Sequence, residues 1–220
     1  MRKAMVLGVL GLAGTLASPA FAKDEFTGFR LQALVGSETV NSDLTYIPFA
    51  TTEDADNNRF TYGFGVGWAL NKYLAVELGL RSGSEFNSNH FESVMTANPE
   101  DYISSHLEIG GFEGSIVGSV WLNDKISFFG RAGMFGWDAK ELLSVGNTET
   151  STRPAAKVVH KASDTGFDPM FGVGAQTVLD GALIRLEYRY AEIGDLSKAG
   201  VFTLTNTKLS SFELSIVWTL

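Results

Sequence analysis

The sequence predicts an all-β protein, an eight-stranded antiparallel up-and-down transmembrane β-barrel with a polar, charge-paired interior. Three observations lead there. Apolar and polar residues alternate with period two in eight separate segments, as strands with two different faces require. The connections between those segments alternate short and long. Past the first 22 residues, no apolar run is long enough for a membrane helix.

The N-terminus reads as an export signal. Met1-Arg2-Lys3 is a basic start, Met5 to Leu16 is an apolar core, and Ala20-Phe21-Ala22 has the small-x-small form of a cleavage site. The expected organisation is therefore a signal peptide over 1–22 and a barrel over 23–220. Loss of Arg2 and Lys3 takes the net charge from −8 to −10. The absence of cysteine from the 220 residues removes disulfide and thiolate chemistry and suits an exported protein that needs no oxidative folding. The acidic balance argues against nucleic acid, whose phosphates need clustered Lys and Arg.

In the first strand Phe29, Leu31, Ala33 and Val35 alternate with Arg30, Gln32 and Gly36, Leu34 being the exception. The second sets Phe60, Tyr62, Phe64, Val66, Trp68 and Leu70 against Thr61, Gly63, Gly65, Gly67 and Ala69. The third sets Leu74, Val76, Leu78 and Leu80 against Ala75, Glu77, Gly79 and Arg81. The fourth sets Phe112, Ile116, Val120 and Leu122 against Glu113, Ser115 and Ser119. The fifth, from Ile126 to Trp137, is the least regular. Phe128, Ala132 and Met134 share one face, and Phe129, Arg131, Phe135 and Trp137 the other, so inward aromatics there would have to pack around Arg131. The sixth sets Phe171, Val173, Ala175 and Leu179 against Gly172, Gly174 and Gln176. The seventh sets Ile184, Leu186, Tyr188 and Tyr190 against Arg185, Glu187 and Arg189. The eighth sets Phe212, Leu214, Ile216, Trp218 and Leu220 against Ser211, Glu213, Ser215 and Thr219.

Asn71-Lys72, Asn123 to Lys125 and Asp180-Gly181 read as tight turns. The polar stretches 37–59, 82–106, 138–169 and 191–207 read as long loops. Short turns at one end and long loops at the other are the outer-membrane pattern, with the apolar face toward lipid and the polar face inside. A soluble sandwich or lipocalin-like barrel would put the apolar face inside instead. It gives no reason for Arg and Glu opposite a uniformly apolar, aromatic face.

Nine charged side chains then fall in the lumen: Arg30, Arg81, Arg131, Arg185 and Arg189 against Glu77, Glu113, Glu187 and Glu213. Ion pairs with further hydrogen bonds offset the cost of burying charge, and the guanidinium fork matches a carboxylate. A plugged structural core is the expected use of this network. A narrow gated channel is the alternative. No catalytic, cofactor or metal site is expected. His90, His106 and His160 are far apart and have no Cys. Ser104, His106 and Glu108 share a strand face but read as a polar strand end, which leaves a lipid-modifying enzyme as the remote option. The Gly63-x-Gly65-x-Gly67 triplet has no helix after it and so lacks a phosphate-binding context. The stretch 53–58, rich in acids, reads as a solvated loop tip. Arg153, Lys157, His160 and Lys161 lie in a stretch that reads as a solvated loop, with contact to lipopolysaccharide phosphates near the rim as the alternative.

Two stretches resemble the transmembrane domain of the outer-membrane protein A family: Lys125 to Ala139 and Phe171 to Asp195. The run Arg185-Leu186-Glu187-Tyr188 followed by Ile193-Gly194-Asp195, and Arg131 before Gly133 with Trp137 beyond, carry the resemblance. It is strongest over 125–220. It implies an eight-stranded barrel in the cell outer membrane of a Gram-negative envelope, with a polar, plugged interior, a structural and surface-contact role, and outer-membrane lipid, lipopolysaccharide and the barrel-assembly machinery as partners. Many members carry a peptidoglycan-binding domain after the barrel, whereas this sequence stops on its last strand. Phe212, Leu214, Ile216, Trp218 and Leu220 look like the C-terminal assembly signal, with Leu where an aromatic is usual.

Overall fold

The computed structural model describes residues 27–46, 51–83, 86–92, 101–147, 157–196 and 202–220. The expected signal peptide lies outside them. The strands are β1 (Gly28–Tyr46), β2 (Thr51–Asn71), β3 (Leu74–Gly83), β4 (Phe86–Glu92), β5 (Asp101–Trp121), β6 (Ile126–Asn147), β7 (Lys157–Leu179), β8 (Ala182–Leu196) and β9 (Phe202–Thr219). All pairings are antiparallel, in the order β3-β2-β1-β9-β8-β7-β6-β5-β4, and β3 also pairs with β5. That last ladder, from Leu74↔Gly118 to Ser82↔Gly110, closes the sheet on itself. Because β3 and β4 both lie along β5, they are successive parts of one stave. The result is an eight-staved closed barrel. Among the described residues, no helix is long and apolar enough to cross a membrane.

The tight turns lie where the sequence places them. Asn71 Oδ1 accepts from the backbone N–H groups of Tyr73 and Leu74, at 2.8 and 2.9 Å. Asn123 Oδ1 does the same for Lys125 and Ile126, both at 2.8 Å. These are Asx turns, in which a side chain supplies the acceptor that the reversing backbone lacks. The Asp180-Gly181 turn has positive φ at both residues, 48° and 80°. That is the type I′ geometry that matches strand twist.

Polarity is inverted relative to a soluble barrel. Phe64, Val120 and Phe212 are 69%, 68% and 63% exposed, while Arg185 and Glu213 are 0% and 1% exposed. On β6, Phe128 faces outward while Phe129, Arg131, Phe135 and Trp137 are buried, so the aromatics of that face do turn inward with the arginine. Along β2 the outward apolar series runs from Phe60 to Leu70. Eleven residues tilted by about 40° rise about 25 Å, the height of a lipid-facing band.

The long-loop expectation needs correction. Most of 37–59, 138–169 and 191–207, and part of 82–106, is strand. β6 alone runs 22 residues, about twice the 9–11 that hydrocarbon requires. Beyond the lipid both faces meet water or other polar groups, so the apolar contrast vanishes. The backbone ladder does not depend on that contrast and continues.

The outer extensions are not one closed tube. β7 pairs with β8 only from Met170↔Ala191 inward, although β7 continues back to Lys157 against β6. β2 pairs with β3 only from Thr61↔Gly83 inward, although β2 continues back to Thr51 against β1. Among the described residues no β2–β4 partner pair occurs. Two seams on opposite sides therefore divide the extensions into two sheets, β8-β9-β1-β2 and β4-β5-β6-β7. Pro169 stands at the head of the β7–β8 seam. It lacks the N–H that a paired interior position uses, so it belongs where a ladder ends.

Candidate functional site

The lumen is the one region where the described side chains concentrate buried charge. Its residues come from every stave, each at the inward phase of the alternation. Arg131 (β6) is at the centre. Its Nε donates to Glu187 Oε1 at 2.8 Å, one Nη to Glu77 Oε2 at 2.8 Å, and the other to Ser115 Oγ at 2.7 Å. Arg185 (β8) takes the second oxygen of Glu77 at 2.8 Å and the Gln176 carbonyl at 2.8 Å. Arg189 (β8) holds both oxygens of Glu113 at 2.7 Å through one Nη. Its Nε lies 3.0 Å from both Glu187 and Glu213.

The network continues outward. Arg81 (β3) pairs with Glu213 at 2.6 Å and with Glu38 at 2.7 Å, and donates to Ser211 Oγ at 2.8 Å. Glu38 in turn pairs with Arg59. Arg30 is buried at the inner end, where it feels the charges of both Arg185 and Glu77. The structure thus places all nine charged residues singled out from the sequence inside the barrel, with ion pairs joining Arg81, Arg131, Arg185 and Arg189 to Glu77, Glu113, Glu187 and Glu213. Glu38 and Arg59 are the members that sequence reasoning missed by assigning 37–59 to a loop. The usable signal was the unbroken inward phase Arg30, Gln32, Leu34, Gly36, Glu38, mirrored by Arg59, Thr61, Gly63.

Glycine makes the packing possible. A Cβ at Gly67 would sit 2.9 Å from Glu77 Cγ, and one at Gly79 would sit 2.9 Å from Glu113 Cγ. Each carboxylate therefore lies over bare backbone on the neighbouring stave. Apolar layers lie on both sides of the charges. On the inner side Ala69, Ala75, Val117 and Phe129 form one cluster, with the Arg185 guanidinium 5.2 Å above the Phe129 ring. On the outer side Val40, Ile109, Phe135, Trp137, Met170 and Leu209 are buried. Trp137 lies against Gly166, whose bare backbone leaves room for the ring, and its Nε1 donates to Asp168 at 2.6 Å. The chemical capacity of this arrangement is electrostatic cross-bracing between staves far apart in sequence.

The other sequence-derived candidates do not join it. Glu108 is exposed and points outward, pairing at 3.7 Å with Lys140. The side chains of Ser104 and His106 lie outside the described residues, as do those of His90, His160, Lys157 and Lys161, and Arg153 lies outside them altogether. Of the 53–58 stretch only the side chain of Asn58 is described. Among the described residues no group of three or more His, Asp or Glu side chains could hold a metal ion. Phe212, Leu214, Ile216, Trp218 and Leu220 form an exposed apolar row on β9 and the residue after it.

A family model described as "Outer membrane protein beta-barrel domain" matches residues 8–219. No curated protein matches the sequence. Several solved structures share the fold. The outer membrane protein AlkL, studied by solid-state NMR in lipid bilayers, is 15% identical with a TM-score of 0.52, over 92% of this chain and 96% of that one. Neisserial surface protein A is 12% identical with a TM-score of 0.51, over 88% and 98%. The attachment invasion locus protein of Yersinia pestis is 12% identical with a TM-score of 0.46, over 87% and 99%. At such identities the likeness concerns the fold alone.

Proposed function

The chain belongs to the outer membrane protein beta-barrel domain family, whose place is the bacterial outer membrane, and from that premise we propose that it serves membrane integrity and surface contact through a plugged lumen, without catalysis. The observation that carries this reading is the continuous ion-pair network from Glu77 through Arg131, Glu187, Arg189, Glu213 and Arg81 to Glu38. It reaches staves on all sides of the lumen, is nearly sealed from solvent, and has apolar layers on both sides. A hydrated pore needs a continuous polar path, and buried apolar layers interrupt one. In an eight-staved barrel the interior is only wide enough for side chains to fill.

The outward face would meet lipid, and the split outer sheets would reach past the lipopolysaccharide headgroups to make surface contacts. The exposed row ending at Leu220 would serve as the signal read by the barrel-assembly machinery. Planar-bilayer recording tests the plug. The refolded barrel should show no conductance, or only brief small openings. A large steady conductance of porin size would overturn the reading.

A further inference from the structure

We infer that the outer half of the barrel opens on one side only. The two outer sheets part along the β7–β8 seam and stay joined along the β2–β3 seam, where Arg59 is the latch. Both seams arise where a ladder stops while a strand continues. Their fastenings differ.

Directional bonds tie the head of the β2–β3 seam. Its last pair is Thr61↔Gly83, and Gly83 ends the β3 part of the stave that goes on as β4 in the other sheet. The Arg59 guanidinium reaches over from β2 onto the bare backbone of Gly83. A Cβ there would sit 2.6 Å from Arg59 Cζ and 2.7 Å from its Nε. Glu38 on β1 accepts from Arg59 Nε and Nη2 through Oε1. Its Oε2 accepts from Arg81 Nη2 at 2.7 Å, and Arg81 is two residues inward of Gly83 on the same stave. Thr61 Oγ1 accepts from Arg81 Nε at 3.2 Å and donates to the Ser82 carbonyl at 3.1 Å. β1, β2 and β3 are thereby bound to one another where the seam begins. Arg59 and Glu38 are 6% and 0% exposed, so water does not compete for these bonds.

The head of the β7–β8 seam is apolar. Its last pair is Met170↔Ala191, both buried, with Ile193 buried beyond it. Pro169 has no N–H to donate. The polar side chains beside it bond within their own sheets. Asp168 accepts from Trp137 Nε1 at 2.6 Å, and Glu192 from the Tyr190 hydroxyl at 3.3 Å. Apolar contact is non-directional, so this seam parts and closes without unpairing a buried charge. Parting the β2–β3 seam would pull Arg81 from Glu38, and a buried charge left without its partner is strongly destabilising. The molecule therefore hinges on the Arg59 side. Opening uncovers Met170 and Trp137, while the network from Glu77 to Glu213 stays intact.

Distances between spin labels test the asymmetry. The chain has no cysteine, so labels attach only at introduced ones. Double electron–electron resonance on the refolded full chain in lipid bilayers would compare two pairs. Thr165→Cys with Glu192→Cys spans the β7–β8 seam, and Asn58→Cys with Glu108→Cys spans the other; all four positions are exposed. The first pair should give a distance distribution at least about twice as wide as the second, as local opening confined to one seam requires. Gly83→Ala changes no charge but displaces the Arg59 guanidinium, and it should widen the second distribution. Arg59→Met should do the same. Equal widths at the two seams, or a second distribution still narrow in Gly83→Ala, would overturn the inference. Should Arg59→Met fail to fold, the unsubstituted latch and Gly83→Ala decide.

Discussion

Arg131 engages Glu77, Glu187 and Ser115 with its side chain 0% exposed. A charge taken from water into such a place is expensive, and the compensation comes from partners on β3, β5 and β8 at once. Removing the arginine leaves two buried carboxylates without their central cation. Arg131→Met should therefore cost about 3–5 kcal/mol, the range for breaking a buried ion pair, read as a fall in the urea midpoint of the refolded barrel. Lys140 offers the contrast. Its ion pairs with Asp138 and Glu108 lie on the outer surface, with the side chains two-fifths to half exposed. Solvent screens them, and Lys140→Ala should cost no more than about 1 kcal/mol. Equal losses in the two variants would show that burial does not govern the worth of these pairs.

At the scale of strands, β7 is two elements in one. From Met170 to Thr177 it has partners on both sides, β6 and β8, whereas from Lys157 to Pro169 it has only β6. Amides in the outer half on the seam side lack a strand acceptor, so hydrogen exchange should be at least about tenfold faster over 157–168 than over 171–179. Uniform protection along β7 would mean that the seam closes in solution. This division was not legible in the sequence, because pairing is a relation between distant segments and Pro169 alone signals it locally. The membrane-facing parts were legible. There, lipid imposes an apolar face and the packed lumen a polar or small one, and the contrast between Phe64 and Gly65, or Leu186 and Glu187, records both. Where the chain leaves the lipid the contrast ends while the hydrogen bonding does not, and that is why 37–59 reads as loop. Glu38 and Arg59 were lost with it, although each continues the inward phase of its own strand. The irregular face of β6 was decided by packing: Phe129 fills the space over Gly174, where a Cβ would come within 2.7 Å of its ring, and only the three-dimensional neighbour reveals that.

For the molecule as a whole, inside and outside are exchanged, and its four tryptophans report on both. Trp218 is 43% exposed on the lipid side near the inner rim. Trp68 is on the outward face of β2, and Trp121 caps the inner end of β5, where its Nε1 donates to the Lys72 carbonyl at 2.6 Å. Trp137 points into the lumen, 6% exposed, with its ring against Gly166 and its Nε1 on Asp168. Bilayers of bromine-labelled lipid quench a fluorophore only where acyl chains can touch it. A variant retaining Trp218 alone, with the other three changed to Phe, should lose most of its emission in such bilayers. A variant retaining Trp137 alone should keep nearly all of it, because the β6 and β7 staves stand between that ring and the lipid. Strong quenching of Trp137 would place the ring outside and reverse the assignment of β6. The charges of Arg131 would then face hydrocarbon, at a cost of about 2–4 kcal/mol near the bilayer midplane. The lumen network could not form, and the closed-lumen reading of the protein would fall with it.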